Sequence, residues 1–326
     1  MAATAGLVLL APACGGGSAP ADGGDRLHVV TTVAPITSIV AAIGGDHVAI
    51  EGIVPEGTDS HTFEPRPRAA AVLAGADVLF LNGLKLEEPT KDLAEANLRD
   101  DAVLVALGEE TIGPDDYRYD FSFPEEGGKP NPHLWTNPPM AGRYAEVVKD
   151  TLVRLDPDNA QDYEENHAAL SARVDELDAA VRTATATVAP EHRKLLTYHD
   201  AYAYFADEYG WEVIGAIQPS DFAEPSAHDV ADLIGQVRDT GVPAIFGSEV
   251  FPSPVLEQIG DETGVRYVDV LRDDDLPGEP GDDEHSWLGL MRFDYVVMVE
   301  SLGGDPAALE AVPVTPTAPD DAEYPQ

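Results

Sequence analysis

The chain has 326 residues, 44% of them apolar, which is enough for two domains with ordinary hydrophobic cores. Its 60 acidic and 19 basic side chains leave a net charge of −41. That balance excludes nucleic acid as a partner, because a phosphate backbone needs a basic surface to neutralise it. It also excludes docking on anionic lipid through a basic patch.

The first 26 residues read as a leader and tether. An apolar run over 6–13 ends in small residues and meets Cys14, the one cysteine of the chain. Residues 15–24 then combine Gly, Ser, Pro and Ala in a composition that cannot pack. An apolar run, small residues, Cys and a Gly/Ser linker resemble a bacterial lipoprotein signal, in which Cys14 is the lipidated first residue of the mature chain. A single cysteine allows no internal disulfide and no thiolate metal cluster. No other segment reaches the length of a membrane span.

From residue 27 the pattern alternates. Residues 27–32 are apolar and β-branched and predict a strand; 37–43 carry helical spacing that stops at Gly44-Gly45. A strand over 48–54 leads into a loop that ends at His61. A helix over 67–74 and a buried strand over 76–81 follow. Strands alternating with helices at this pace predict an α/β fold with a parallel-rich sheet wound by helices.

The middle reads differently. Asp156-Pro157 supplies a helix cap and a proline for the first turn. Leu170, Val174, Leu177, Val181, Ala184 and Val188 then recur in steps of four and three, until Pro190. This predicts one helix over 157–188, about 45 Å long at 1.5 Å per residue. Such a helix runs along two lobes, 27–155 and 191–311. The α/β rhythm resumes beyond it, with strands over 194–198, 244–246 and 266–271 and helices over 201–209 and 288–302. Ser226 and Asp229 predict a capping box. Residues 312–326, rich in Pro and Asp, predict a frayed tail.

Three of the nine histidines share a context. His61 ends the loop after the second strand, His133 sits in a proline-bounded loop before a helix, and His199 directly follows the strand over 194–198. Asp274 follows the strand over 266–271. In open α/β sheets, ligands bind beyond the carboxyl ends of strands. Three imidazoles and a carboxylate suit Zn2+ in four-fold geometry, and Mn2+ tolerates the set but prefers more oxygen. Four protein ligands leave no open position for a reactive water, which favours transport over catalysis.

These residues also carry a family resemblance. Residues 54–65, read as Val-Pro-Glu-Gly-Thr-Asp-Ser-His-Thr-Phe-Glu-Pro, resemble the first metal-ligand loop of the zinc/manganese solute-binding proteins of ABC importers. Asn131-Pro132-His133-Leu134-Trp135 resembles the second, and the segment from His199 to Phe205 the third; Glu224-Pro225-Ser226 fits as well. The resemblance runs from about Leu27 to Gly304. It implies two α/β lobes joined by one backbone helix, a metal between them held by His61, His133, His199 and an aspartate, and delivery to a membrane permease by a lipid-anchored monomer. Ser60 stands where the family has proline and Asn131 where it has aspartate. The acidic triplet Asp273-Asp274-Asp275 offers several fourth ligands; the following leucine selects Asp274, and the distance to Ser286 selects Asp275. A zinc hydrolase is the main alternative reading, but the chain has neither a His-Glu-x-x-His helix nor a Gly-x-Ser-x-Gly elbow. A surface adhesin and a binding protein for an organic solute are the others.

Overall fold

The computed structural model describes residues 26–218, 225–248, 253–318 and 322–323; Cys14, its flanking leader and Glu224 lie outside them. The first lobe begins with β1 (Leu27–Thr31), α1 (Ala34–Gly44) and β2 (Val48–Gly52). It continues with α2 (Pro67–Gly75), β3 (Val78–Leu81), α3 (Glu88–Asn97), β4 (Val103–Ala106) and α4 (Leu107–Thr111). The strands form one parallel sheet in the order β2-β1-β3-β4. Helix α1 starts before residue 37 because Pro35 falls in its first turn, where the missing N–H has no partner to lose. β3 is buried along its whole length, as a strand covered on both faces requires.

Two helices follow the sheet. α5 (Pro138–Leu155) is capped by the Asn137 side chain, which accepts from the Met140 N–H at 3.1 Å. α6 (Ala160–Thr187) is a single helix of 28 residues, about 42 Å long. The predicted stripe of Leu170, Val174, Leu177, Val181 and Ala184 is its buried face.

The second lobe contains β5 (Lys194–Thr197), α7 (Ala203–Tyr209), β6 (Glu212–Ala216) and α8 (Ala227–Thr240). β7 (Ala244–Ser248), α9 (Pro254–Thr263), β8 (Arg266–Leu271), α10 (Trp287–Ser301) and α11 (Ala307–Glu310) complete it. β5 pairs β6 and β7 pairs β8, both parallel, and β5 lies beside β7. Ser226 and Asp229 form the predicted capping box on α8, with the Asp229 N–H donating to Ser226 Oγ at 3.3 Å. α6 packs on α1 and α5 of the first lobe and on α10 and α11 of the second, so it backs both.

The tail departs from expectation. Val312, Val314 and Ala318 are buried. The Glu323 N–H donates to Ile50 O and the Gly52 N–H donates to Glu323 O, at 3.0 and 3.2 Å, along the free edge of β2. Arg292 Nη1 holds Val312 O at 3.0 Å. Isolated apolar residues between prolines carry no periodicity, so the sequence pattern does not announce this packing. The prolines nonetheless reduce the entropy lost on ordering the segment.

The lobes meet through side chains that sit behind the site. Trp135 and Trp287 are fully buried there. Trp287 Nε1 donates to Trp135 O and Trp135 Nε1 donates to Asp273 O, each at 2.9 Å. The Trp287 N–H donates to Ser38 Oγ at 2.9 Å, tying the start of α10 to α1. Each indole keeps its one donor satisfied while its rings fill the junction.

Candidate metal centre

Each of the three histidines is fixed by its own local structure. His61 closes the loop that leaves β2, and its backbone N–H donates to Asp59 Oδ1 at 2.9 Å, an Asx-type turn. His133 is held twice by Asn131: its backbone N–H donates to Asn131 Oδ1 at 3.0 Å, and its Nδ1 lies 2.9 Å from the same oxygen. Asn131 is anchored in turn, because its Nδ2 donates to Asp120 Oδ2 at 2.8 Å and to Asp200 O at 2.6 Å. His199 follows β5, and its carbonyl accepts from Thr197 Oγ1 at 2.8 Å and from the Ala201 N–H at 3.1 Å.

These supports bring three nitrogens together. His133 Nε2 lies 3.2 Å from His61 Nε2 and 3.2 Å from His199 Nε2. Ligand atoms of all three fall within 4.8 Å of one another. A tetrahedral ion with metal–nitrogen bonds near 2.0–2.1 Å sets its ligand atoms about 3.3 Å apart, so the spacing fits an ion of that size. His133 and His199 are buried and His61 keeps a partly exposed edge. Burial holds the His61 and His133 imidazoles well below the ordinary histidine range; His199 lowers both further, and His61 adds to the effect on His133. Burial also pulls His199 down to about 4. The trio is therefore neutral at neutral pH, the state a metal requires. Asn131 Oδ1 accepts a hydrogen bond from the Nδ1–H of His133, which leaves the Nε2 lone pair facing the cluster.

The acidic triplet fans out in three directions. Asp273 has φ of 53°, in the left-handed region, and so turns the chain sharply after Arg272. Its Oδ2 lies 3.6 Å from His199 Nδ1, on the far side of that ring from the cluster, and its Oδ1 accepts from the Tyr202 hydroxyl at 2.9 Å. Asp274 Oδ2 accepts from Ser60 Oγ at 2.7 Å, one residue from His61. Asp275 Oδ1 accepts from the Gly57 N–H at 3.1 Å. Buried Asp294, on α10, sets this turn by accepting from the backbone N–H groups of Arg272 and Asp273 at 3.0 and 3.2 Å. Burial pushes Asp273 up to about 7 and Asp274 up to about 8. Asp274 and Asp275 thus face the first-lobe loop of His61, while Asp273 backs His199.

Asn131 and Asp294 have structural roles that spacing alone did not reveal. The signal for Asn131 was its place two residues before His133, where the resembling family has aspartate. Asp294 offered none, since an acid within a helix is ordinarily solvated.

The family described as zinc-uptake complex component A, periplasmic, matches residues 29–301. The chain belongs to that family. The periplasmic zinc-binding protein TroA of Treponema pallidum has a similar solved structure, with a TM-score of 0.77 at 28% identity, covering 85% of this chain and 99% of its own. The iron-binding protein YfeA of Yersinia pestis is 29% identical over 262 residues, 80% of this chain and 82% of its own. The manganese ABC transporter substrate-binding lipoprotein PsaA of Streptococcus pneumoniae is 26% identical over 303 residues, 89% of this chain and 93% of its own. The fold expected from the sequence, two α/β lobes with parallel sheets, is the fold of this family. Among the described residues, no helix is long and apolar enough to cross a membrane.

Proposed function

We propose that the protein captures a divalent metal ion outside the cytoplasm, Zn2+ first and Mn2+ as the alternative, and passes it to the membrane permease of an ABC importer. The observation that carries this reading is the trio of neutral imidazoles with neighbouring Nε2 atoms 3.2 Å apart. Three nitrogen ligands favour Zn2+ over Mn2+, which seeks oxygen. The names of the relatives, which span zinc, iron and manganese, support a metal cargo for this chain as well.

Asp274 completes the ligand set in this reading, with Asp275 as the alternative. Two facts support it: its carboxyl accepts from Ser60, the residue before His61, and burial raises it to about 8, a cost that a divalent cation would remove. A full set of protein ligands suits carriage and leaves no place for a reactive water, so the protein binds without turnover. Cys14 anchors the chain to the membrane by lipid, and the chain acts as a monomer. With 27–155 and 191–311 as lobes and a continuous α6 behind both, release proceeds by local movement of residues 273–280. A wide hinge would have to bend that helix.

Elemental analysis with competitive Zn2+/Mn2+ titration tests the reading on the purified protein and on H61A, H133A and H199A. The expected result is about one ion per chain, with affinity reduced in each variant by more than the roughly 10–100-fold that loss of an outer-shell partner costs. Unchanged stoichiometry and affinity in all three variants would end the proposal.

A further inference from the structure

Between α4 and His133 the chain crosses from the first lobe onto the second. Arg118 Nε pairs with Asp207 Oδ2 at 2.6 Å, and the Arg118 N–H donates to the Tyr204 hydroxyl at 3.2 Å. Four residues on, Ser122 Oγ donates to Gln218 O at 3.1 Å and accepts from the Asp200 N–H at 3.2 Å. The N–H groups of Ser122 and Phe123 both reach Asp120 Oδ1 at 3.2 Å, which tightens the turn. The segment runs from exposed to buried toward the histidines. Tyr119 is 39% and Phe121 53% exposed, whereas Phe123 is 5% exposed. The Phe123 ring lies with its centroid 5.5 Å from that of His61 and 5.6 Å from that of His133.

We propose that Phe123 is a specificity-determining residue for the metal: an apolar cover that keeps water from the cation and slows its exchange. The inference rests on the metal-capture reading above. The Phe123 ring, 5% exposed, packs against two of the three imidazoles and fills space beside them that water would otherwise take. It has no donor or acceptor and cannot ligate. Its effect is to deny the cation a water ligand. Zn2+ is satisfied by four protein ligands, whereas Mn2+ takes more, typically oxygen, and must recruit water to this site. A dry wall also strengthens each cation–ligand interaction by lowering the local dielectric. Ser122, bonded to Gln218 O and to the Asp200 N–H, helps staple the cover to the second lobe.

The test uses the full chain and the variants F123A, F123L and S122A, each loaded with Zn2+. Release is timed after mixing with excess chelator, the Zn2+/Mn2+ preference is measured by competition, and thermal unfolding of the metal-free proteins checks folding. F123A should release Zn2+ at least about tenfold faster and lose about tenfold of its Zn2+ preference, an effect of outer-shell size. F123L, which keeps an apolar wall, should stay within about threefold of wild type, and S122A should fall between F123A and F123L. Failure of wild type to bind Zn2+, or wild-type affinity in H61A, H133A and H199A alike, would strike the metal-capture reading itself. With that reading intact, release and preference within about twofold of wild type in F123A, or in S122A should F123A not fold, would overturn the proposed cover.

Discussion

The two lobes present their ligands in different ways. In the first, four parallel strands form one sheet whose three pairings show no register shift. In the second, β5–β6 and β7–β8 are separate ladders, each with a register shift, at Leu195/Leu196 and at Phe246/Ser248. Irregularities of this kind re-aim the side chains that follow. One shift lies just before His199, and the left-handed Asp273 opens the acidic turn. The first lobe thus offers a fixed pair of imidazoles, braced by Asp59 and Asn131. The second closes on them with ligands whose direction depends on local departures from regular structure. The chemistry divides unequally as well: the first lobe contributes two neutral imidazoles, and the second adds His199 together with carboxyls that burial makes harder to ionise.

That contrast is sharpest in its pH dependence. Burial lowers all three imidazoles, so protons compete with the metal for them only at pH values well below the ordinary histidine range. Asp274, raised to about 8, works in the opposite direction. It is protonated below that pH and must release its proton to ligate, so affinity rises with pH until about 8. Zn2+ affinity should therefore fall about tenfold per pH unit from 7.5 to 5.5, about 100-fold in all, and D274N should flatten the slope. A slope that D274N leaves unchanged, or a three-proton slope centred near 6.5, would place the titrating groups elsewhere.

Asn131 joins the two lobes at the site, holding His133 on one side and Asp200 O on the other. N131A should weaken Zn2+ binding about 10–100-fold, because His133 loses both the partner that fixes its tautomer and the anchor of its loop. Competition titration measures the loss. Wild-type affinity in N131A would mean that the first lobe holds its imidazoles without this brace.

The smallest effect is expected at α8, away from the ligands. S226A removes the capping box and should cost about 1 kcal/mol in denaturant unfolding. It should leave Zn2+ affinity unchanged. A loss of affinity would show that the strength of the second lobe reaches the site.

Much of this was legible in the sequence because it is local. His61, His133 and His199 each lie within a few residues of a strand end or a proline-bounded turn, and both patterns survive in one dimension. The stripe on α6 was equally plain, since its period needs no knowledge of what it packs against. The acidic triplet was not legible to the same depth. Three adjacent carboxylates are equivalent in a linear reading, and their separation depends on a non-glycine residue at positive φ, held there by Asp294 from another helix. Phe123 was hidden for a related reason: it covers His61 and His133 through a segment with no secondary-structure pattern. The packed residues of 312–318 were hidden because Val312, Val314 and Ala318 find their pockets on elements far away in the chain.

The central claim is that both lobes ligate one ion. Diffraction from Zn2+-loaded crystals, recorded at the zinc absorption edge, tests it most directly. The account predicts one anomalous peak bonded to Nε2 of His61, His133 and His199, with Asp274 as the fourth ligand. A peak bonded to the imidazoles of one lobe alone, or lying away from the trio, would contradict it.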